Sequence, residues 1–337
     1  MDLEDIFGFM PDGTPVPRVT IAGEDLRVEL IGYGASIRDL LVGGRPVVLG
    51  LDTLEDYVAH SSHMGAVAGR YANRIRNGRF TLDGVEQQLV LNQAGRHHLH
   101  GGGNTGFGKR PWKLLARTPR SALFGFSSPD GDQGYPGAVE ARIRYEVAGP
   151  GLLRMELTAT TDAPTIVNLA THSYFNLDGD GSVLDHILEI PAETYTPVDA
   201  DLIPTGAIAP VAGTPFDFRS PRPIRHLAEG AHVGYDHNFV VARERAAEPR
   251  LMARAAGPKT GIRLEVWSTE PGVQFYDATK MNVPVTGTHG RHFGANAGFC
   301  LEPQLFPDTP NNPGFGSAVL RPGQTYRQLT EYRFEGP

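Results

Sequence analysis

Apolar and polar residues alternate with a period of two along most of this chain, and that pattern restricts it to β-structure first of all. Leu26, Val28 and Leu30 flank polar Arg27 and Glu29. Val139, Ala141, Ile143, Tyr145 and Val147 alternate with Glu140, Arg142, Arg144 and Glu146. Leu153, Met155, Leu157 and Ala159 repeat the pattern, as do Ile262, Leu264 and Val266, then Tyr332 and Phe334. Successive side chains of a strand point to opposite faces, so each run offers one face to a core and one to water. The 41 Gly and 27 Pro among 337 residues follow no period, which reads as many short strands joined by turns. Asp83-Gly84, after Phe80-Thr-Leu82, has the residue types of a two-residue hairpin. Helical signals are confined to residues 53–58, with Thr53 as N-cap, and to a turn at 224–229. No linker, repeat or shift of composition divides the chain. Residues 1–337 are expected to form one domain, an all-β, large antiparallel β-sandwich.

Charge and cysteine content exclude several classes of function. The net charge is −7 and no run of Lys or Arg forms a basic stripe, so nucleic acid is not an expected partner. The first residues are acidic where a secretory peptide is basic, and no apolar run is long enough for a bilayer. No membrane partner is expected. Cys300 is the sole cysteine, so no disulfide can form within the chain. These features fit a cytoplasmic protein, a monomer or a homodimer.

Two motifs invite other readings. Gly101-Gly-Gly103-Asn-Thr-Gly106 satisfies the dinucleotide pattern, but that pattern works only when a helix N-terminus faces the phosphate. Pro111 and Trp112 follow too soon for such a helix, and Arg110 stands where a phosphate loop needs Ser or Thr. The run is better read as a glycine loop flanking a binding site. His97, His98 and His100 suggest zinc, with His98 and His100 on one face of a strand. Further ligands at metal spacing are missing, so no metal is expected, and His97 reads as a surface or hydrogen-bonding histidine.

Polar clusters interrupt the strand background at Gly69-Arg-Tyr-Ala-Asn73-Arg74, His100-Gly-Gly, Asn168-Leu-Ala-Thr-His172-Ser-Tyr-Phe-Asn, Tyr235-Asp236-His-Asn-Phe and Leu301-Glu302-Pro-Gln. Gln274 is a lesser sixth. Amides, carboxylates and Arg beside aromatic rings suit a hydroxyl-rich ring ligand. Each residue alone has a plain structural alternative: a turn cap for Asn73, a surface ion pair for Arg74, a core position for His172, an Asx turn for Asp236. Glu302, between Phe299-Cys-Leu301 and Leu305-Phe306, either faces solvent or sits desolvated with a raised pKa. The residues alone imply a sandwich with a polar binding face and do not choose a reaction.

Together these clusters resemble the aldose 1-epimerase (galactose mutarotase) family. The resemblance rests on Gly65-Ala-Val-Ala-Gly-Arg-Tyr-Ala-Asn-Arg-Ile-Arg, His98-Leu-His-Gly-Gly, Ser128-Pro-Asp-Gly-Asp-Gln-Gly-Tyr-Pro-Gly, Thr171-His-Ser-Tyr-Phe-Asn-Leu, Asp236-His-Asn-Phe and Leu301-Glu-Pro-Gln, in the family's order. It implies the galactose mutarotase-like supersandwich and a free monosaccharide as partner, with no cofactor. Glu302 would be the general base on the anomeric hydroxyl and His172 the general acid on the ring oxygen. Asn73, Arg74, His100, Asp236 and Gln274 would bind the sugar. Glu302 should then be ionised and His172 protonated, with Asp236 favouring the imidazolium. Pro303 stands where the family often has Thr, residues 277–282 depart from its usual run, and His98 replaces Asn or Ser. These departures are expected at the sugar-facing rim, where they bear on selectivity. Two rivals keep the same face: a non-catalytic sugar-binding or sensing module, and a glycosidase using Glu302 with Asp236.

Overall fold

A computed structural model describes residues 5–336. Its strands pair antiparallel in three larger sheets. The nine-stranded sheet runs, in spatial order, Lys113–Thr118, Ser121–Ser128, Val139–Gly149, Leu152–Thr161, Tyr326–Glu335, Arg263–Ser268, Arg250–Ala256, Ile187–Glu189 and Arg222–Pro223. The six-stranded sheet runs Tyr174–Phe175, Phe299–Gln304, Gly272–Tyr276, Asp236–Val240, Thr194–Thr196 and Ala209–Pro210. Five N-terminal strands from Ile6–Phe9 to Arg45–Pro46 make the third.

The alternation works as read. Val139, Ala141, Ile143, Tyr145 and Val147 are buried while Glu140, Arg142 and Arg144 are exposed. One core cluster draws on all three sheets, with Val28 and Leu30, Ile143 and Leu157, and Phe275, Phe299 and Leu301. The period that sends Phe299 and Leu301 into this core turns Cys300, Glu302 and Gln304 to the other face of their strand. That face is the floor of the site described below.

Local signals were read correctly in two places and wrongly in a third. Helix Leu54–His60 begins at Thr53, whose Oγ1 accepts from the Asp56 N–H at 3.1 Å. Strands Arg79–Leu82 and Val85–Gln88 join through Asp83 and Gly84, both at positive φ. Residues 224–229 make no helical turn. Leu227–Ala228 pairs with Ala231–His232 as a hairpin. Glu229 and Gly230 take φ of 51° and 83°, supplying the two left-handed positions of a tight turn. Among the described residues no helix is long and apolar enough to cross a membrane.

Leu157 lies opposite Ile143 and has no exposed surface. Leu157→Ala should cost about 2–5 kcal/mol through lost burial and the cavity left behind. Urea unfolding should show a lowered midpoint; an unchanged midpoint would mean that the core closes elsewhere.

Candidate active site

Six of the seven residues singled out from the sequence converge on one cavity of about 510 Å³, a size suited to a small molecule. Asn73, Arg74, His100, His172, Asp236 and Glu302 all line it. His63, Tyr174, Tyr276, Thr279 and Lys280 line it as well.

The floor comes from the six-stranded sheet. In register, Asn238 faces Gln274 and Gln274 faces Glu302, while Tyr276 lies between Asp236 and Cys300. Gln274 is therefore not on the cavity wall. It lies behind Asp236 and donates from Nε2 to Asp236 Oδ1 at 2.6 Å. Arg74 Nη2 reaches Asp236 Oδ2 at 3.1 Å, and Arg74 Nε donates to Gln93 Oε1 at 3.1 Å. Fixed from two sides, the Asp236 carboxylate keeps its remaining lone pairs for hydroxyl donors.

The walls depend on tight backbone. Asn73 and His100 both take positive φ, 65° and 51°. Asn73 Oδ1 accepts from the Arg74 N–H at 2.9 Å, and the Asn73 N–H donates to His100 Nδ1 at 3.2 Å. Because Nδ1 accepts, the neutral His100 ring carries its proton on Nε2. Gly101 lets the chain bend here, since a Cβ would stand 1.8 Å from the Gly69 carbonyl oxygen. The glycine run thus serves close backbone packing. It leads into the three-residue 3₁₀ turn Phe107–Lys109, too short to present a phosphate-binding N-terminus.

His98 and His100 do not share a face. His100 leaves the strand at its left-handed φ, whereas His98 is buried away from the cavity, its Nδ1 2.7 Å from the Val90 carbonyl oxygen and its Nε2 2.7 Å from Tyr135 Oη. His97 is also buried, and its Nδ1 accepts from the Asn77 N–H at 3.0 Å. Hydrogen bonding, not the surface, occupies it. Pro303 does not reach the sugar-facing rim either. It alternates to the core side, paired with Val273. The 277–282 segment does reach the rim, through Thr279 and Lys280.

At the deepest point His172 Nε2 lies 3.7 Å from Glu302 Oε2, with side-chain exposures of 6% and 2%. Burial dominates both groups. It pushes the Glu302 carboxyl well above its ordinary range, helped by Asp236 and opposed by Arg74. It pulls His172 down to about 4, against its own backbone carbonyl and Asp236, with Lys109 adding to the fall. Asp236 favours the imidazolium, as expected from the sequence, but burial is the larger effect on His172 and disfavours the charged form of each group. Cys300 Sγ lies 3.5 Å from His172 Nδ1, so sulfur, imidazole and carboxylate come within 4.8 Å of one another. Burial raises the thiol pKa, whereas a metal ligand must be a thiolate.

Comparison with known proteins decides the family. The aldose 1-epimerase family model matches residues 17–333. Galactose mutarotase of Bos taurus is 42% identical over 342 residues, covering 98% of this chain and 97% of that protein. Aldose 1-epimerase of Escherichia coli is 38% identical, with 96% of each covered. The chain belongs to the aldose 1-epimerase family. Among solved structures, an aldose epimerase homologue from C. elegans superposes with a TM-score of 0.89 at 31% identity, covering 95% of this chain and 99% of that one. Galactose 1-epimerase of Lactobacillus acidophilus gives 0.84 at 28% identity, with 98% of both chains covered.

Within two of the polar sequence clusters, individual residues make structural contacts. The buried Arg70 guanidinium donates to the carbonyls of Pro129, Pro136 and Gly137 and to Ser128 Oγ, clamping the 128–137 loop. Asn168 donates to the Ala72 carbonyl and accepts from the Leu305 N–H, tying three segments of the wall. Sequence reasoning missed His63, whose ring lies 4.8 Å from His100 and 6.1 Å from His172 between centroids. It also missed Tyr174, stacked 5.0 Å from His172. The aromatic neighbours of His172 were a visible signal for the second; nothing marked the first.

In the sugar-free protein His172 should titrate near its depressed pKa of about 4. A histidine ¹⁵N NMR titration checks this, and a midpoint near the ordinary value of about 6.5 would contradict the dominance of burial.

Proposed function

We propose that this chain interconverts the α and β anomers of a free aldose, with Glu302 and His172 as its proton-transfer pair. The observation that carries the reading is the placement of these two groups, 3.7 Å apart and buried, on the floor of one sugar-sized cavity. A pyranose ring presents two oxygens on the carbon to be inverted, the anomeric hydroxyl and the ring oxygen. Glu302 takes the hydroxyl proton while His172 gives a proton to the ring oxygen. The C1–O5 bond breaks and C1 becomes an aldehyde. Rotation about C1–C2 presents the other carbonyl face. On reclosure His172 removes the O5 proton as O5 attacks C1, and Glu302 returns a proton to O1. No atom is gained or lost and no electron leaves the sugar.

Burial disfavours the charged form of both groups, so sugar binding has to favour it. A hydroxyl donating to the carboxylate and a ring oxygen accepting from the imidazolium both favour the charged tautomer. Arg74 acts in the same direction on Glu302. His100 Nε2–H, Asn73, Arg74 and Asp236 hold the remaining hydroxyls, and Gln274 fixes Asp236 from behind. Each well-placed proton transfer is worth about 10²–10⁴ in rate. We read residues 1–337 as one catalytic domain working in the cytoplasm, as a monomer or homodimer, on a free aldose such as galactose, glucose or a pentose.

Glu302→Gln should lose about 10²–10⁴ of the polarimetric rate on freshly dissolved α-galactose or α-glucose. Retention of the wild-type rate would overturn the role of Glu302, and sugar binding without any turnover by the wild type would favour a sensing module. His172→Asn should lose most of the rate yet still bind sugar.

The rate should be bell-shaped in pH. Below the His172 pKa of about 4 the pair carries two protons and lacks a base. Above the raised Glu302 pKa it carries none and lacks an acid. A flat profile would refute a shared proton.

A further inference from the structure

The face of the six-stranded sheet that carries Glu302 continues beyond the cavity as a buried row of amides. Thr196, Asn238, Gln274 and Glu302 stand opposite one another across four strands, and Gln304 follows two residues after Glu302 on the same face. Thr196, Asn238, Gln274, Glu302 and Gln304 are each at most 2% exposed. Their polar atoms are short of partners. Asn238 Nδ2 and Oδ1, Gln304 Nε2 and Oε1, Gln274 Oε1 and Glu302 Oε2 are buried with no hydrogen-bond partner in the protein.

Buried amides without partners are costly and rare in a folded protein, so a contiguous group of them calls for a physical reason. The backbone makes room for this one. Gly272 lies opposite Gln304, and a Cβ there would meet Asn238 Oδ1 at 2.5 Å and the Phe306 ring at 2.8 Å. A glycine at this position therefore leaves the space in which the amides meet, and Phe306 closes it.

We propose that Asn238 and Gln304 are positioning residues whose amide N–H groups, through internal water, donate toward the buried oxygen of Glu302 and favour its carboxylate form. The proposal rests on Glu302 being the base. Two or three amide partners are enough to hold such a water. A donor aimed at the charged form lowers a carboxyl pKa, opposing the burial that raises it. The row thereby supplies from below what the sugar hydroxyl supplies from above.

The other groups facing Glu302 are His172 and Tyr174 from the neighbouring segment, Cys300 on its own strand, Asp236 and Arg74 across the cavity, and Tyr332 from the nine-stranded sheet. Asp236 raises the Glu302 pKa and Arg74 lowers it. The amide row touches neither the sugar nor the Arg74–Asp236 ion pair except through Gln274.

The test is the pH profile of kcat/KM for galactose, measured by polarimetry with the spontaneous rate subtracted, for Gln304→Met and Asn238→Leu. Both substitutions keep size and remove the donor. Loss of one hydrogen bond to the carboxylate should move the alkaline limb up by about one pH unit and lower the plateau about tenfold, because less of the one-proton pair holds its charge on His172. If both variants fail to fold, Gln304→Leu removes the same donor without introducing a charge and should shift the limb the same way. A plateau that falls with the limb unmoved assigns these amides to packing alone and overturns the proposal, as does an unchanged profile. Failure of the base assignment reads differently: there Glu302→Gln keeps its activity whatever the amide variants do.

Discussion

Burying a carboxyl and an imidazole within 3.7 Å of each other, with almost no water on either, is the constraint around which this molecule is organised. In water the two titrate independently, and both are charged only between about pH 4.3 and about pH 6.5. Burial disfavours the charged form of each. A pair in that condition can both take and give a proton at once, provided something restores the polar surroundings it lacks. A sugar does so, since its anomeric hydroxyl donates and its ring oxygen accepts. The substrate thus completes the electrostatics of the site.

Holding such a pair requires rigid surroundings, and the fold supplies them from separate stretches of chain. Glu302 sits in the strand Phe299–Gln304, in which every residue is buried; it pairs with Gln274 on one side, while Cys300 and Phe299 pair with Tyr174 and Phe175 on the other. His172 is fixed between Cys300 and the stacked Tyr174. The wall formed by Asn73, Arg74 and His100 is held by left-handed backbone and by glycine at Gly101, where any side chain would strike Gly69. Arg70 clamps a loop that never reaches the cavity. Much of the polar sequence around the site therefore acts on the shape of the wall, at one remove from the sugar.

That division explains what could be read from the sequence. Period-two runs such as 139–147 are legible because each side chain obeys a single rule, inward or outward, whatever its partners. The proposed proton-transfer pair was suggested by the resemblance to a known family; by chemistry alone Glu302 in an apolar run was only conspicuous. Residues whose role depends on distant partners were not legible. Gln274 reads in sequence as a sugar ligand, and nothing there shows that its Nε2 donates to Asp236. His98 looked like a companion to His100 and is spent on Val90 and Tyr135. His63 gave no signal, because only the folded chain brings it beside His100. The raised pKa of Glu302 was one of two alternatives legible from its apolar run, whereas the burial that lowers His172 had no sequence signal.

A crystal structure of the protein soaked with galactose tests the central claim most directly. The account requires the anomeric oxygen within about 3.2 Å of a Glu302 oxygen and the ring oxygen equally near His172 Nε2, in hydrogen-bonding reach of both at once. A sugar seated in the cavity with its hemiacetal carbon turned away from this pair would contradict it.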